Sequence, residues 1–261
     1  MTRVVAVTMS MGTKWESYSQ ALVAQQFPRW DRLLVDGRKG WSPTAFIEHA
    51  LKRDAEYLVH VDEDCFVQSP QAMGEILQAM REQPDLVAAG IPDGGHYYRA
   101  LNPAALNLFF VVFRMEPLRE AWSRRDQWAH TQFREEFARD VMRQFPQLDR
   151  SRIDWAGSEP YYPLFWNLLA QGGRFLYLPH ELNRTRWSTV VQSPSGRPVA
   201  EHLWYLREWF STRTLPGHDC PNVSRYRSFE RELWRRPESG LRFGAMLGAM
   251  TTRRIARRLL G

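Results

Sequence analysis

The sequence predicts an α/β fold built on a mostly parallel, Rossmann-like central sheet with helices on both faces. Short apolar runs alternate with stretches of helical periodicity through residues 1–91, the pattern of strand–helix–strand crossovers. Two of the runs end in acidic residues, Asp36 and Asp62-Glu63-Asp64. In open sheets of this kind ligands bind beyond the carboxyl ends of the strands.

Residues 4–9 (VVAVTM) are apolar almost throughout, as expected of a strand covered on both faces. Thr13-x-x-Glu16 reads as a capping box, with Trp15, Tyr18 and Leu22 on one helical stripe behind it. Residues 32–36 (RLLVD) form a second strand, and Ser42-Pro43 opens a helix. The third strand, 56–61 (EYLVHV), runs straight into the acidic triplet. Ser69-Pro70 starts a helix that buries Met73, Ile76, Leu77 and Met80, and 86–91 is the fourth strand. Further on, the pattern is less regular. A strand is expected over 108–114, a helix from about Pro117, and an exposed helix with loops over 123–152. Tyr161, Leu164, Phe165, Leu168 and Leu169 share helical spacing, Gly172-Gly173 ends that helix, and 174–178 is again a strand.

The triplet carries the chemistry. Carboxylates one residue apart at a strand end can both turn toward one ion, and magnesium or manganese takes such oxygen ligands together with substrate phosphates. An acidic loop can also be merely solvated. Here Val61 and Phe66 flank the triplet, so like charges crowd near a core, an arrangement that is costly without a cation.

The stretch EYLVHVDEDCFV resembles the strand and Asp-x-Asp motif of GT-A glycosyltransferases, and the preceding strands VVAVTM and RLLVDG keep the same order. The resemblance implies a GT-A fold with a less regular acceptor half, and transfer of a sugar from a nucleoside diphosphate donor, commonly a UDP-sugar, to a hydroxyl acceptor. It implies that Asp62 and Asp64 hold Mn2+ or Mg2+, with Glu63 beside them at the donor. It also puts Thr8, Met9 and Ser10 near the base or ribose and Asp36 on the base. Asp36 reads equally as a turn residue beside Gly37.

SEPYYPLFWNLLAQGGRFLYLP is similar to the family segment in which an acid opens a helix leading to G-x-x-x-x-Y-L-P. In inverting members that acid deprotonates the acceptor hydroxyl, and Glu159 occupies the matching place, with Asp154 in reserve. The usual acidic pair is here Glu159-Pro160, and Glu159 can also simply complement the helix dipole. Residues 102–113 correspond to the acceptor side. Trp155 and Tyr161 can stack on sugar faces or pack in the core. The family's late histidine ligand and phosphate-binding cation have counterparts in His202 and Arg207, although a histidine beside Trp204 and Tyr205 also suits a core.

Residues 225–261 contain ten arginines and no lysine against three glutamates, so the net +6 of the chain resides in its tail. This argues against a general nucleic-acid surface. Residues 241–260 read as a helix with Phe243, Met246, Leu247 and Met250 on one face and Arg253, Arg254, Arg257 and Arg258 as a basic stripe. Such a helix can lie on an anionic membrane or dock on the domain. The expected division is a GT-A domain over 1–215, with its donor half to about 95 and its acceptor half from 96, and a basic extension over 216–261. Two cysteines outside any CxxC pair, no eighteen-residue apolar run and a strand at the very start favour the cytoplasm, peripheral to the membrane if the tail binds it. A lipid-linked or other glycan acceptor would suit that location. Two alternatives remain: a sugar-phosphate nucleotidyltransferase, disfavoured because TMSMGTKWES has a single glycine, and a non-catalytic sugar- or membrane-binding module.

Overall fold

The computed structural model describes residues 2–38, 42–93, 102–146, 151, 159–183, 187–204, 206, 223–235 and 241–260. The first half of the chain alternates strands and helices. Strand β1 (Val4–Ser10) leads through α1 (Lys14–Gln26) to β2 (Asp31–Asp36), and α2 (Ala45–Leu51) returns the chain to β3 (Tyr57–Val61). After a short β4 (Cys65–Val67) come α3 (Pro70–Glu82), β5 (Leu86–Pro92), β6 (Leu106–Arg114) and α4 (Met115–Ser123). A 3-10 turn (Arg125–His130), α5 (Glu135–Gln144) and α6 (Tyr162–Ala170) precede β7 (Arg174–Tyr177). The remainder comprises β8 (His180–Asn183), β9 (Ser188–Gln192), β10 (Pro198–Leu203), α7 (Val223–Arg235) and α8 (Leu241–Leu260).

The main sheet has the order β2-β1-β3-β6-β5-β7 and only β6 runs against the rest. This is the mostly parallel α/β architecture predicted. One apolar layer lies beneath α1 and α3 and the other beneath α2, α4 and α6. At the α6–β7 junction Gly172 takes φ +86°, and a Cβ on Gly173 would stand 2.8 Å from the Leu168 carbonyl oxygen. Only glycine fits that pair of positions.

The sequence reading missed a second sheet, antiparallel, of order β4-β10-β9-β8. It also misassigned three local features. Thr13 caps the Trp15 amide, but Glu16 does not close a capping box, because its carboxylate is drawn to Ser10 and Arg257. Helix α2 starts at Ala45 rather than at Ser42-Pro43, with the Ser42 hydroxyl 3.2 Å from that of Thr44. The stretch expected to be an exposed helix is a 3-10 turn plus α5, and α5 buries Ala138 and Val141.

Helix α8 is docked. Phe243 and Leu247 are buried, and Phe243 packs beside Tyr18 of α1 and Trp234 of α7. Each such burial contributes about 1.5–3 kcal/mol, against at most about 1 kcal/mol for an exposed ion pair, so the apolar face decides the docking. Glu230 anchors α7 to α1 through Lys14 Nζ at 2.7 Å and Tyr18 Oη at 2.5 Å. Among the described residues no helix is long and apolar enough to cross a membrane.

Candidate metal centre

The site forms where the C-terminal edge of the main sheet meets the second sheet. The chain leaves β3 in a turn closed by the Cys65 amide donating to the Asp62 carbonyl at 3.0 Å. Three neighbours fix that turn. The Asp62 amide donates to the Phe109 carbonyl at 2.9 Å, the Leu203 amide donates to the Asp64 carbonyl at 3.0 Å, and Ser19 Oγ donates to the Cys65 carbonyl at 3.0 Å. Strand β4 then pairs antiparallel with β10, setting His202 opposite Cys65.

The result is a convergence of Asp62, Asp64 and His202, whose ligand atoms all lie within 4.8 Å of one another. All three are buried. His202 Nε2 is 3.3 Å from Asp64 Oδ1. The imidazole stacks on Phe109 at 4.1 Å between centroids and meets Trp204 edge-on at 4.6 Å. Among the described residues no hydrogen bond reaches either ring nitrogen. A buried imidazole without hydrogen bonds beside two carboxylates fits a divalent cation: the carboxylates suit manganese or magnesium, and the imidazole nitrogen favours a transition-metal ion over magnesium. Cys65 contributes no thiolate here: burial pushes its thiol up, and Asp64 and Asp62 push it further.

Glu63 is not one of the three converging residues and is engaged by Ser10 instead. Ser10 Oγ lies 3.0 Å from Glu63 Oε2, bonds Glu16 Oε2 as well, and accepts the Gly12 amide at 2.8 Å. Thr8 and Met9 are buried on β1, and Ser10 and Asp36 are register partners at the ends of β1 and β2. The Arg38 guanidinium grips both Asp36 oxygens, at 2.8 and 2.6 Å. Hydrogen bonding from Arg38 brings the Asp36 carboxyl down to about 2, with lesser contributions from the Arg38 and Arg257 charges.

Glu159 sits in the turn before α6, its carbonyl accepting the Tyr162 amide at 3.1 Å, and Tyr161 is buried against Tyr162. Asp154, Trp155 and Arg207 lie outside the described residues.

Other residues at this edge of the sheet were not placed at the site by any motif in the sequence. His60 stacks on Phe46, bonds the Leu108 carbonyl through Nδ1 at 2.5 Å, and holds Nε2 3.7 Å from Asp62 Oδ1. Asp93 is buried at the end of β5, where Asn107 Nδ2 donates to it at 2.7 Å and the Tyr162 hydroxyl also donates. Arg254 and Arg257 reach this edge from α8.

No family model matches the chain, and no curated protein matches it. Among solved structures it is similar to a glycosyltransferase involved in the glycosylation of the major capsid of PBCV-1, at 11% identity and TM-score 0.36 over 57% of this chain and 79% of that one. It is also similar to the galactosyltransferase LgtC in complex with donor and acceptor sugar analogs, at 12% identity and TM-score 0.31 over 67% and 73%.

Proposed function

We propose that the protein is a metal-dependent glycosyltransferase that moves a sugar from a nucleoside diphosphate donor to a hydroxyl acceptor. The observation that carries this reading is the buried set Asp62, Asp64 and His202 at the carboxyl edge of a mostly parallel sheet. That edge is where such sheets bind their ligands. A divalent cation held by these three residues would supply charge neutralisation to the diphosphate leaving group.

The chain's own residues divide the remaining work. Thr8, Met9 and Ser10 shape the floor beneath the nucleoside, and the Asp36–Arg38 pair borders it. Glu159 is the assigned base, taking the proton from the acceptor hydroxyl as the new C1–O bond forms and the bond to the donor phosphate breaks, with inversion at the anomeric carbon. Asp154 is the reserve base, Arg207 a second phosphate contact, and Trp155 and Tyr161 the sugar-facing aromatics. The exposed Arg253 and Ile255 on α8 are the residues that would meet an anionic membrane carrying a lipid-linked acceptor.

The test is nucleoside diphosphate release from a panel of sugar nucleotides, with and without manganese, alongside Asp64→Ala. The reading requires release from one donor that depends on both metal and Asp64. Donor binding that ignores metal and survives Asp64→Ala would refute it.

A further inference from the structure

The basic residues of α8 have a place in the site. The apolar face of the helix seats it on α1, and its later turns cross the loop that follows β1. There Arg254 Nη1 lies 3.4 Å from the Gly12 carbonyl oxygen, and Arg257 Nη2 forms an ion pair with Glu16 Oε2. Glu16 is only 3% exposed and shares Ser10 Oγ with Glu63, the neighbour of both metal-binding aspartates. Arg257 also acts on Asp36 at the end of β2. Its guanidinium is thus linked through Glu16 and Ser10, at the end of β1, to Glu63 of the acidic triplet.

Two features are poorly explained if Arg257 merely staples the tail. Arg257 Nε is buried and, among the described residues, finds no hydrogen-bond acceptor. A guanidinium presents five donors in a fixed fork, and an anion with several oxygens is the partner that fills it. The second feature is the ion pair itself. Burying a carboxylate against an arginine is weak support for stability, since desolvation consumes most of the Coulombic gain. Glu16 also has another donor within reach in Ser10, so it can release the guanidinium without being stranded. The carbonyl end of α8 itself repels anions, which leaves the arginine side chains as the source of attraction.

We infer that Arg257, with Arg254 beside it, takes the diphosphate of the nucleotide, and that Glu16 holds the guanidinium until the anion arrives. The inference rests on the donor class proposed above. It makes α8 part of the donor site rather than an appendage, with Glu16 and the diphosphate competing for one cation.

Calorimetric titration in the presence of manganese tests this, with uridine diphosphate, guanosine diphosphate and the two parent nucleosides as probes. The proteins are the wild type and the variants Arg257→Gln, Arg257→Lys, Glu16→Gln and Arg29→Gln, the last at an exposed arginine before β2, each checked by thermal melting. Loss of charge-assisted bonds to phosphate predicts that Arg257→Gln weakens the diphosphate about tenfold or more and leaves the nucleoside unchanged. Arg257→Lys, which keeps the charge but not the fork, falls between. Glu16→Gln binds the diphosphate more tightly because the competitor is gone, and Arg29→Gln behaves as wild type. Equal diphosphate affinity in wild type and Arg257→Gln, or equal weakening of nucleoside and diphosphate, overturns the inference while leaving the proposed function standing. If Arg257→Gln does not fold, the Lys and Glu16 variants decide by the same criteria. A wild type that binds neither diphosphate overturns both.

Discussion

The imidazole of His202 lies flat on the ring of Phe109, with centroids 4.1 Å apart and planes within 6°, while its Nε2 lies 3.3 Å from Asp64 Oδ1. Phe109 thus fixes the ring plane, and the pairing of β10 with β4 fixes its height. Phe109→Ala is expected to lower stability by about 3–5 kcal/mol, the usual cost of emptying a buried phenyl site, in denaturant titration. It should also weaken manganese binding, because the freed ring no longer presents its nitrogen along one direction. Phe109→Leu should retain more of both.

Removing the ligand itself separates binding from packing. His202→Gln should reduce metal-dependent release of nucleoside diphosphate by at least about tenfold, since even outer-shell partners of a metal site cost that much. Raising the manganese concentration should restore part of the rate, which a packing defect would not allow.

Ser10 is the hinge of the acidic cluster, buried completely between Glu16 and Glu63. Ser10→Ala leaves both carboxylates and the Gly12 amide without that hydroxyl, and about 1–3 kcal/mol of stability should be lost. Thermal and denaturant unfolding report it directly.

Much of the first half of the chain was legible because its signals are local. A continuous apolar strand ending in acids, or a Ser-Pro pair ahead of a helical stripe such as that at Ser69-Pro70, needs no distant partner. The second sheet was not legible. Strand β4 is three residues long, and β10 buries Glu201 and His202, so neither shows the alternation that marks a strand. They exist because they pair with each other across the chain. The same reason hides the role of the tail. Arg257 looks like part of a solvated stripe until its partner Glu16 is found 241 positions away. Glu16, for its part, looks like a helix-capping residue until folding turns it inward.

Asp36 supplies a pH signature. Its carboxyl is lowered to about 2 in the folded protein by the Arg38 bonds, against about 3.9 in an unfolded chain. The stabilisation is therefore present above the unfolded value and is lost as pH falls through the folded one. Acid unfolding followed by circular dichroism should lose a component between roughly pH 4 and pH 2 in Asp36→Asn, and the variant should be less stable than wild type near neutrality.

If the exposed face of α8 meets an anionic membrane, a double variant carrying Arg253→Gln and Ile255→Ser should sediment less with phosphatidylserine vesicles. Each cation near such a surface contributes about 1 kcal/mol, a loss of about fivefold in partitioning. Melting temperature should not change, because both residues are exposed. Unchanged sedimentation would restrict α8 to its contacts within the domain.

The centre of the account is that Asp62, Asp64 and His202 hold one divalent cation. Electron paramagnetic resonance of manganese titrated into the purified protein near neutral pH measures this without needing the donor or the acceptor. The account predicts a saturable site in the wild type that is lost or greatly weakened in Asp64→Asn and in His202→Gln, both variants remaining folded. Manganese binding of unchanged affinity and stoichiometry in the two variants would contradict it.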